Sequence, residues 1–446
     1  MPVPEGGEDG APAQVGRREQ DQNGMNDSAT ITNSAASSQF AAAEPLTAEN
    51  LAAFIRGLPA RAQLTLKALV NLTYGAITVR IPDGRVFRVD GREPGPHASV
   101  VLYNWNLPQR AFRRGTVGVA ESYVDRDWDS PDVTAFLELF IVNIDLGDKY
   151  ATGGRGLIHF FERIRYWLNI NTRSQSKKNI AAHYDLGNEF YREWLDPTMT
   201  YSSALYQTGA NDLQSAQTAK YRALAEATGI GPNDHVLEIG CGWGGFAEFA
   251  ASEIGCKVTG LTISREQLSY AEARIQKAGL SERVDFKFQD YRDEKGVYDR
   301  IVSIEMLEAV GEKFWPAYFR KLRECLREGG RAGVQAITIA GGVFPVYRRQ
   351  PDFIQRYVFP GGMLMTIDHL KEIGEKAGLS MVGHRAFAAD YARTLAEWRG
   401  RFWARWDAIR PLGFDERFKR LWEFYLFYCE AGFRTENINV RQVVYA

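Results

Sequence analysis

His235-Val-Leu-Glu-Ile-Gly-Cys-Gly-Trp-Gly-Gly-Phe246 is the stretch that decides the fold. Its first five residues read as a strand ending at Ile239. Gly240, Gly242, Gly244 and Gly245 then form a loop, and a helix opens near Phe246. Glycine lets a chain turn sharply and lets a ligand come close to the backbone. Open α/β sheets hold ligands in this way at the carboxyl ends of their strands. A dinucleotide would call for an acidic residue about 20 positions on, at the end of the second strand. That strand runs into Gly260-Leu-Thr-Ile-Ser264 and carries no acid; the acid lies inside the first motif, at Glu238.

Outward from this loop, strand and helix alternate. Strands are expected at 235–239, 256–261, 284–289, 299–304 and 331–339, with a helix at 314–327 closed by Gly329-Gly330. Such alternation implies an α/β fold whose mostly parallel sheet is covered on both faces. Residues 387–446 read as helical. At the other end, residues 1–44 hold few large apolar side chains, so burial cannot offset the entropy of ordering them, and a disordered tail is expected. Met25 offers a second start. Residues 45–147 read as a small α+β domain. Its helical stretch 51–70 is broken at Gly57-Leu-Pro59, and strands 76–81 and 85–89 are joined by the turn Pro82-Asp83-Gly84. A strand at 99–103 and a helix at 132–143 follow. Residues 148–178 read as a helical linker, leaving 179–446 as the catalytic domain.

Composition narrows the function. A chain of 446 residues has room for two or three domains. A net charge of −1 supplies no field that would recruit nucleic acid. Cys241, Cys256, Cys325 and Cys429 form no CxxC pair and have no His at metal-ligand spacing, so reduced thiols and no metal are expected. No apolar run approaches the roughly 20 residues that span a bilayer. The nearest, 133–146, is broken by Glu138, Asn143 and Asp145. The expected location is cytoplasmic, with peripheral contact at the inner face of the membrane.

The strand–ExGxGxG–helix arrangement resembles the class I, Rossmann-like methyltransferases that use S-adenosylmethionine. Six further stretches make the resemblance specific. They are His183-Tyr-Asp-Leu-Gly-Asn-Glu-Phe-Tyr191, Met199-Thr-Tyr-Ser-Ser-Ala204, Gly260-Leu-Thr-Ile-Ser-Arg-Glu-Gln267, Gln289-Asp-Tyr-Arg-Asp293, Tyr357-Val-Phe-Pro-Gly-Gly362 and Ala389-Asp-Tyr391. In order and spacing they are similar to the cyclopropane-fatty-acyl-phospholipid synthase family, which includes the mycolic acid cyclopropane synthases. The likeness covers about residues 180–446 and, more loosely, the N-terminal domain.

The resemblance implies transfer of a methyl(ene) group from S-adenosylmethionine to the double bond of unsaturated acyl chains of membrane phospholipids, giving cyclopropane fatty acids. It places Tyr201, Ser202, Gly240, Gly242, Thr262, Gln267 and Tyr291 at the cofactor. Glu238 and Gly244 join them from the glycine motif. Asp290, after the third strand, is placed to reach the adenine side, with a cap or turn role as the alternative. The family's active centre holds a bicarbonate ion, gripped by a Cys, a Glu, a His, an Ile backbone group and a Tyr. Glu308, Ile337 and Tyr391 match the Glu, Ile and Tyr. Ser203 stands at the Cys, Gln335 at the His, and Ala309 replaces a His that often follows the Glu. Ser and Gln can hydrogen-bond an anion but supply neither thiolate nor imidazolium, which leaves bicarbonate binding open.

An isolated alkene is a poor nucleophile, and its attack on a sulfonium methyl leaves positive charge on a chain carbon. The protein must exclude water, stabilise that cation and remove one proton. Tyr391, Phe359, Tyr357 and Trp315 are aromatic candidates for the cation. Glu308, after the fourth strand, is the candidate acid, with Glu305 the weaker one. Proton loss from the added methyl closes a ring. A hydride shift beforehand gives a methylene branch, which a downstream reductase would turn into a methyl branch. A methyltransferase of a soluble small molecule, or a lipid-binding protein without catalysis, are the competing readings. The stretch 399–434 interleaves Arg and Lys with Trp, Phe and Tyr, which suits an anionic lipid surface or a core with a solvated rim. A homodimer stays open as the assembly.

Overall fold

The computed structural model describes residues 40–143 and 186–446. The linker at 148–178, most of the tail and His183-Tyr-Asp185 lie outside them. Two sheets organise the rest. The first runs β1 (Glu44–Pro45), β2 (Tyr74–Arg80), β3 (Val86–Asp90), β4 (Glu93–Leu102) and β5 (Trp128–Asp129), in the order β1-β3-β2-β4-β5. β2 is its centre and is buried along its whole interior. Helix formation over 51–70 stops where expected: Leu51–Phe54 and Ala60–Leu69 are separate, and Pro59 stands just ahead of the second. Glu44 pairs with Phe87, so the end of the expected tail belongs to this sheet. Asp132 caps helix Val133–Val142 by accepting from the Ala135 amide. The sequence did not reveal helix Asn106–Val124, because Gly115, at φ +56, kinks it and breaks its period.

The second sheet carries the glycine loop. Its strands are β6 (His235–Ile239), β7 (Lys257–Thr262), β8 (Val284–Phe288), β9 (Tyr298–Ile304), β10 (Leu326–Ile339), β11 (Met381–Ala386) and β12 (Ile438–Tyr445), in the order β11-β12-β10-β9-β6-β7-β8. β6 to β10 are mutually parallel, while β12 is antiparallel to β10 and β11 to β12. Two expectations need correction. Residues 387–446 are not wholly helical, since β12 closes them. That strand lies between β10 and β11 and is buried along most of its length, so the period-2 alternation of a one-sided strand is blurred. The helix expected at 314–327 ends at Cys325, and β10 begins at once, with a register shift between Leu326 and Arg331 around Gly329-Gly330.

The two sheets meet across the C-terminal helices. Helix Glu416–Arg434 packs on helix Ala388–Ala404 and on the N-terminal helices Asn106–Val124 and Val133–Val142. Tyr123 donates to Glu423 at 2.8 Å, and Arg420 donates to the Tyr123 carbonyl at 2.8 Å. Of the two readings of 399–434, most of its aromatic residues take the second, a core with a solvated rim. Phe402, Trp406, Trp422, Phe424, Tyr425, Phe427 and Phe433 are buried. Arg399 pairs with Glu430, Arg405 with Glu193, Arg417 with Asp125, and Arg434 with Glu138 and Glu430. A helix enclosed on several sides buries aromatics that an isolated amphipathic helix would show to lipid. Trp403 still faces out, at 43% exposure. Among the described residues no helix is long and apolar enough to cross a membrane.

Candidate active site

β6 ends at Ile239 and the chain enters a left-handed path that glycine tolerates: φ is +82° at Gly240, +53° at Gly242 and +81° at Gly244. The three are not equivalent. A Cβ on Gly240 would meet Met306 Cγ at 2.8 Å, and one on Gly244 would meet Ala271 and Phe286 at 3.1 Å. Among the described residues, a Cβ on Gly242 would meet nothing within 4 Å. Gly242 therefore faces open space beside the backbone, the cradle a ligand would fill. The Cβ sides of Gly240 and Gly244 are instead taken up by packing, against Met306 and against helix Arg265–Lys277.

Glu238 is buried behind this loop, and its Oε2 has no hydrogen-bond partner among the described residues. Burial pushes its carboxyl up to about 8, against the pull of Lys220. A buried unpartnered carboxyl beside an open cradle fits a ligand that brings a cationic amine. At the end of β7, Thr262 donates to Gln267 Oε1 at 3.1 Å and accepts from the Ser264 amide at 3.1 Å. Asp290 is not aimed at a ligand. Its two oxygens accept from Arg292 Nε at 2.8 Å and Nη2 at 2.6 Å, so the turn role is the one realised. Tyr291 packs edge-on against Tyr318.

One strand over, β9 ends at Ile304 and Glu305 adopts φ +48°. A non-glycine residue held there costs on the order of 1 kcal/mol or more. The conformation aims a half-buried carboxyl at three donors. Oε1 accepts from the Ser203 amide and from Gln335 Nε2, both at 2.8 Å; Oε2 accepts from the Tyr391 hydroxyl at 2.6 Å. Gln442 orients the Gln335 amide by donating to its oxygen at 3.1 Å. Lys220, fully buried, donates to Ser202 Oγ at 2.6 Å. Burial pushes its ammonium down to about 7, against the attraction of Glu305, Asp196 and Glu238.

Glu308 follows on a short 3₁₀ turn. Its Oε1 accepts from the Ile337 amide, and its Oε2 has no hydrogen-bond partner among the described residues. Burial first, and the charge of Glu305 second, push Glu308 up to about 8. Burial also raises Glu305, but Lys220 and the three donors oppose it. Two carboxyls that repel while only one is well solvated by donors separate into an ionised and a neutral member. The donors favour a carboxylate at Glu305, which accepts three hydrogen bonds where Glu308 accepts one from the Ile337 amide. Glu305, read from the sequence as the weaker acid, is thus the better supported of the two as an anion.

The groups matched to a bicarbonate ion are already engaged. The Ser203 amide, Gln335 and Tyr391 close on Glu305, Glu308 and the Ile337 amide close on each other, and the Ser203 hydroxyl donates to the Ala204 carbonyl. This arrangement does not fit a separate anion.

Aromatic rings wall the space beside Tyr391. Tyr201 lies 5.4 Å from Tyr191, 5.6 Å from Trp194, 5.4 Å from Trp398 and 6.5 Å from Phe359, and its hydroxyl bonds that of Tyr425 at 2.8 Å. Tyr391 packs at a tilt against Phe433, 4.3 Å between ring centres, and reaches Trp398 at 6.2 Å. Of the four aromatic candidates, Tyr391 and Phe359 belong to this wall. Tyr357 is part-exposed with its hydroxyl on Glu121, and Trp315 packs against His369, both outside it. Lys220, Gln442 and Trp398 were not singled out from the sequence, where each looks like one more core or helix residue, and Tyr425 entered only as part of the basic and aromatic stretch 399–434.

Residues 171–443 match the family model described as mycolic acid cyclopropane synthetase. The chain is 38% identical to the tuberculostearic acid methyltransferase of Mycobacterium tuberculosis, over 75% of this chain and 80% of that one. It is 33% identical to the cyclopropane-fatty-acyl-phospholipid synthase of Escherichia coli K12, over 82% of this chain and 95% of that one. Among solved structures, the mycolic acid cyclopropane synthase CmaA1, complexed with SAH and CTAB, superimposes with a TM-score of 0.57 at 29% identity. The match covers 60% of this chain and 97% of CmaA1.

Proposed function

The chain belongs to the mycolic acid cyclopropane synthetase family of S-adenosylmethionine-dependent methyltransferases acting on fatty acyl chains, and from that premise we propose that it methylates the double bond of unsaturated phospholipid acyl chains to give a methylene branch. The observation that carries the reading is a half-buried carboxyl pair, Glu305 and Glu308, beside an aromatic wall and close to an open glycine cradle. Bound S-adenosylmethionine supplies an electrophilic methyl group. Gly242 and Glu238 would hold it from the loop side, with Tyr201, Ser202, Thr262, Gln267 and Tyr291 around it.

The residues of the chain do the remaining work. The rings of Tyr201, Trp398, Phe359 and Tyr391 exclude water and stabilise a chain cation by about 0.5–2 kcal/mol each. The carboxyl pair removes one proton from the added carbon. Ring and branch both lose that proton; they differ in whether a hydride shifts first. A cation sheltered by several rings has time to rearrange, which favours the branch. Among the relatives, the tuberculostearic acid methyltransferase supports the branch, while the cyclopropane-fatty-acyl-phospholipid synthase of Escherichia coli stands for the ring. A reductase would then complete a methyl branch.

The substrate's location makes peripheral contact with an anionic membrane part of this reading. Co-sedimentation with liposomes separates it from methylation of a soluble molecule. The product is tested by lipid mass spectrometry of cells expressing the chain, with NMR to separate isomers. Methylene-branched phospholipid chains are expected; cyclopropane chains alone would overturn the branch.

A further inference from the structure

We propose that Glu305 is the proton acceptor of the reaction, and that this built-in carboxylate takes the place of a diffusible anion at the active centre. The inference deepens the function proposed above and rests on it for the identity of the substrate.

Three observations carry it. Glu305 is held by the Ser203 amide, Gln335 and Tyr391, so its carboxylate is fixed in place without any bound ion. These donors divide unevenly: Oε1 accepts two of these bonds and Oε2 accepts one, from Tyr391. A carboxylate oxygen has two lone pairs, so Oε2 has room for a further proton on the side of the aromatic wall that Tyr391 joins. The backbone at Glu305 is left-handed, a conformation glycine would adopt freely and a glutamate does not. A side chain retained at a strained position is expected to do something there.

The step balances. The π pair of the alkene forms the new carbon–carbon bond, the sulfur–methyl bond breaks with its pair going to sulfur, and the neighbouring chain carbon becomes cationic. One C–H bond of the added carbon then breaks. Its electron pair forms the methylene double bond after a hydride shift, or the ring without one, and the proton goes to Glu305 Oε2. Glu308, held by the Ile337 amide, is a positioning residue that stays protonated and keeps a second negative charge away from the site.

The test uses the full chain, S-adenosylmethionine and vesicles of monounsaturated phosphatidylglycerol, in buffer stripped of carbon dioxide. Wild type should turn over at full rate, unchanged by added bicarbonate. E305Q should bind S-adenosylmethionine as wild type does by calorimetry and lose about 10²–10⁴-fold in turnover, the usual contribution of a positioned base. Should E305Q not fold, E305G relieves the backbone strain and replaces it. Infrared difference spectra supply a readout independent of turnover: E305Q should lose carboxylate bands at neutral pH, and E308Q a protonated-carboxyl band. Wild-type turnover that depends on bicarbonate, E305Q turnover within about tenfold of wild type, or a protonated Glu305 would each overturn the proposal. If wild type methylates no acyl chain, the functional reading fails, and the infrared spectra still decide the charge of Glu305.

Discussion

The turns after β6 and after β9 leave the same edge of one sheet, and both enter left-handed backbone. After β6 the conformation is carried by glycines, and the result is bare backbone facing open space at Gly242. After β9 it is carried by Glu305, and the result is a filled pocket in which donors converge on one carboxylate. One turn makes room for a ligand; the other makes a reagent. Open space tolerates no added bulk, whereas a filled network tolerates only groups of the same shape and hydrogen bonding.

The largest effect should come from filling the open turn. Gly242→Val puts a β-branched side chain into the cradle at φ +53°, and S-adenosylmethionine affinity should fall about 100-fold or more, roughly 2.7 kcal/mol. Calorimetry on a folded variant with wild-type affinity would remove Gly242 from the site. On the filled side, Tyr391→Phe deletes one donor to Glu305. A hydrogen bond to a charged group contributes about 1.5–3 kcal/mol, so turnover should drop by roughly tenfold or more with cofactor affinity unchanged. A drop in affinity instead would mean that the two turns form one site energetically.

Proton linkage sharpens the contrast further. Glu238 behind the open turn titrates near 8, so it is protonated at pH 7. A bound cationic amine favours its carboxylate, and binding should release up to about one proton, read from calorimetry in buffers of different ionisation heat. Proton uptake on binding would contradict the assignment.

Glu308 gives the smallest effect. Its folded carboxyl titrates near 8 against an ordinary 4.5, so the folded chain binds the extra proton between those values. Stability contributed by this group is present at low pH and is lost as pH rises through that window. Glu308→Gln should therefore match wild type near pH 5 and gain on it by about 1–3 kcal/mol near pH 8, as seen in denaturant midpoints. A constant offset at every pH would show that Glu308 is not held neutral.

The same contrast explains what the sequence disclosed. Gly240 and Gly242 were legible because the demand there is on the backbone, and glycine alone meets it cheaply. Strands β6 to β9 were legible for a similar reason, each being short, apolar and bounded by turn residues. Glu305 was legible only as the weaker acid, because nothing local to a glutamate at a strand end shows that tertiary contacts bring Ser203, Gln335 and Tyr391 to it from distant parts of the chain. Trp422 and Phe424 were left between core and lipid surface for the converse reason: helical spacing shows which side chains share a face, but not that the N-terminal domain covers that face.

The most direct test of the chemistry is methyl transfer from trideuteromethyl S-adenosylmethionine to monounsaturated phospholipid vesicles, followed by mass analysis of the acyl chains. Removal of a proton from the added carbon predicts a chain that gains one carbon and keeps two of the three deuterium atoms. Retention of all three in the chain, or label found in the head group, would contradict it.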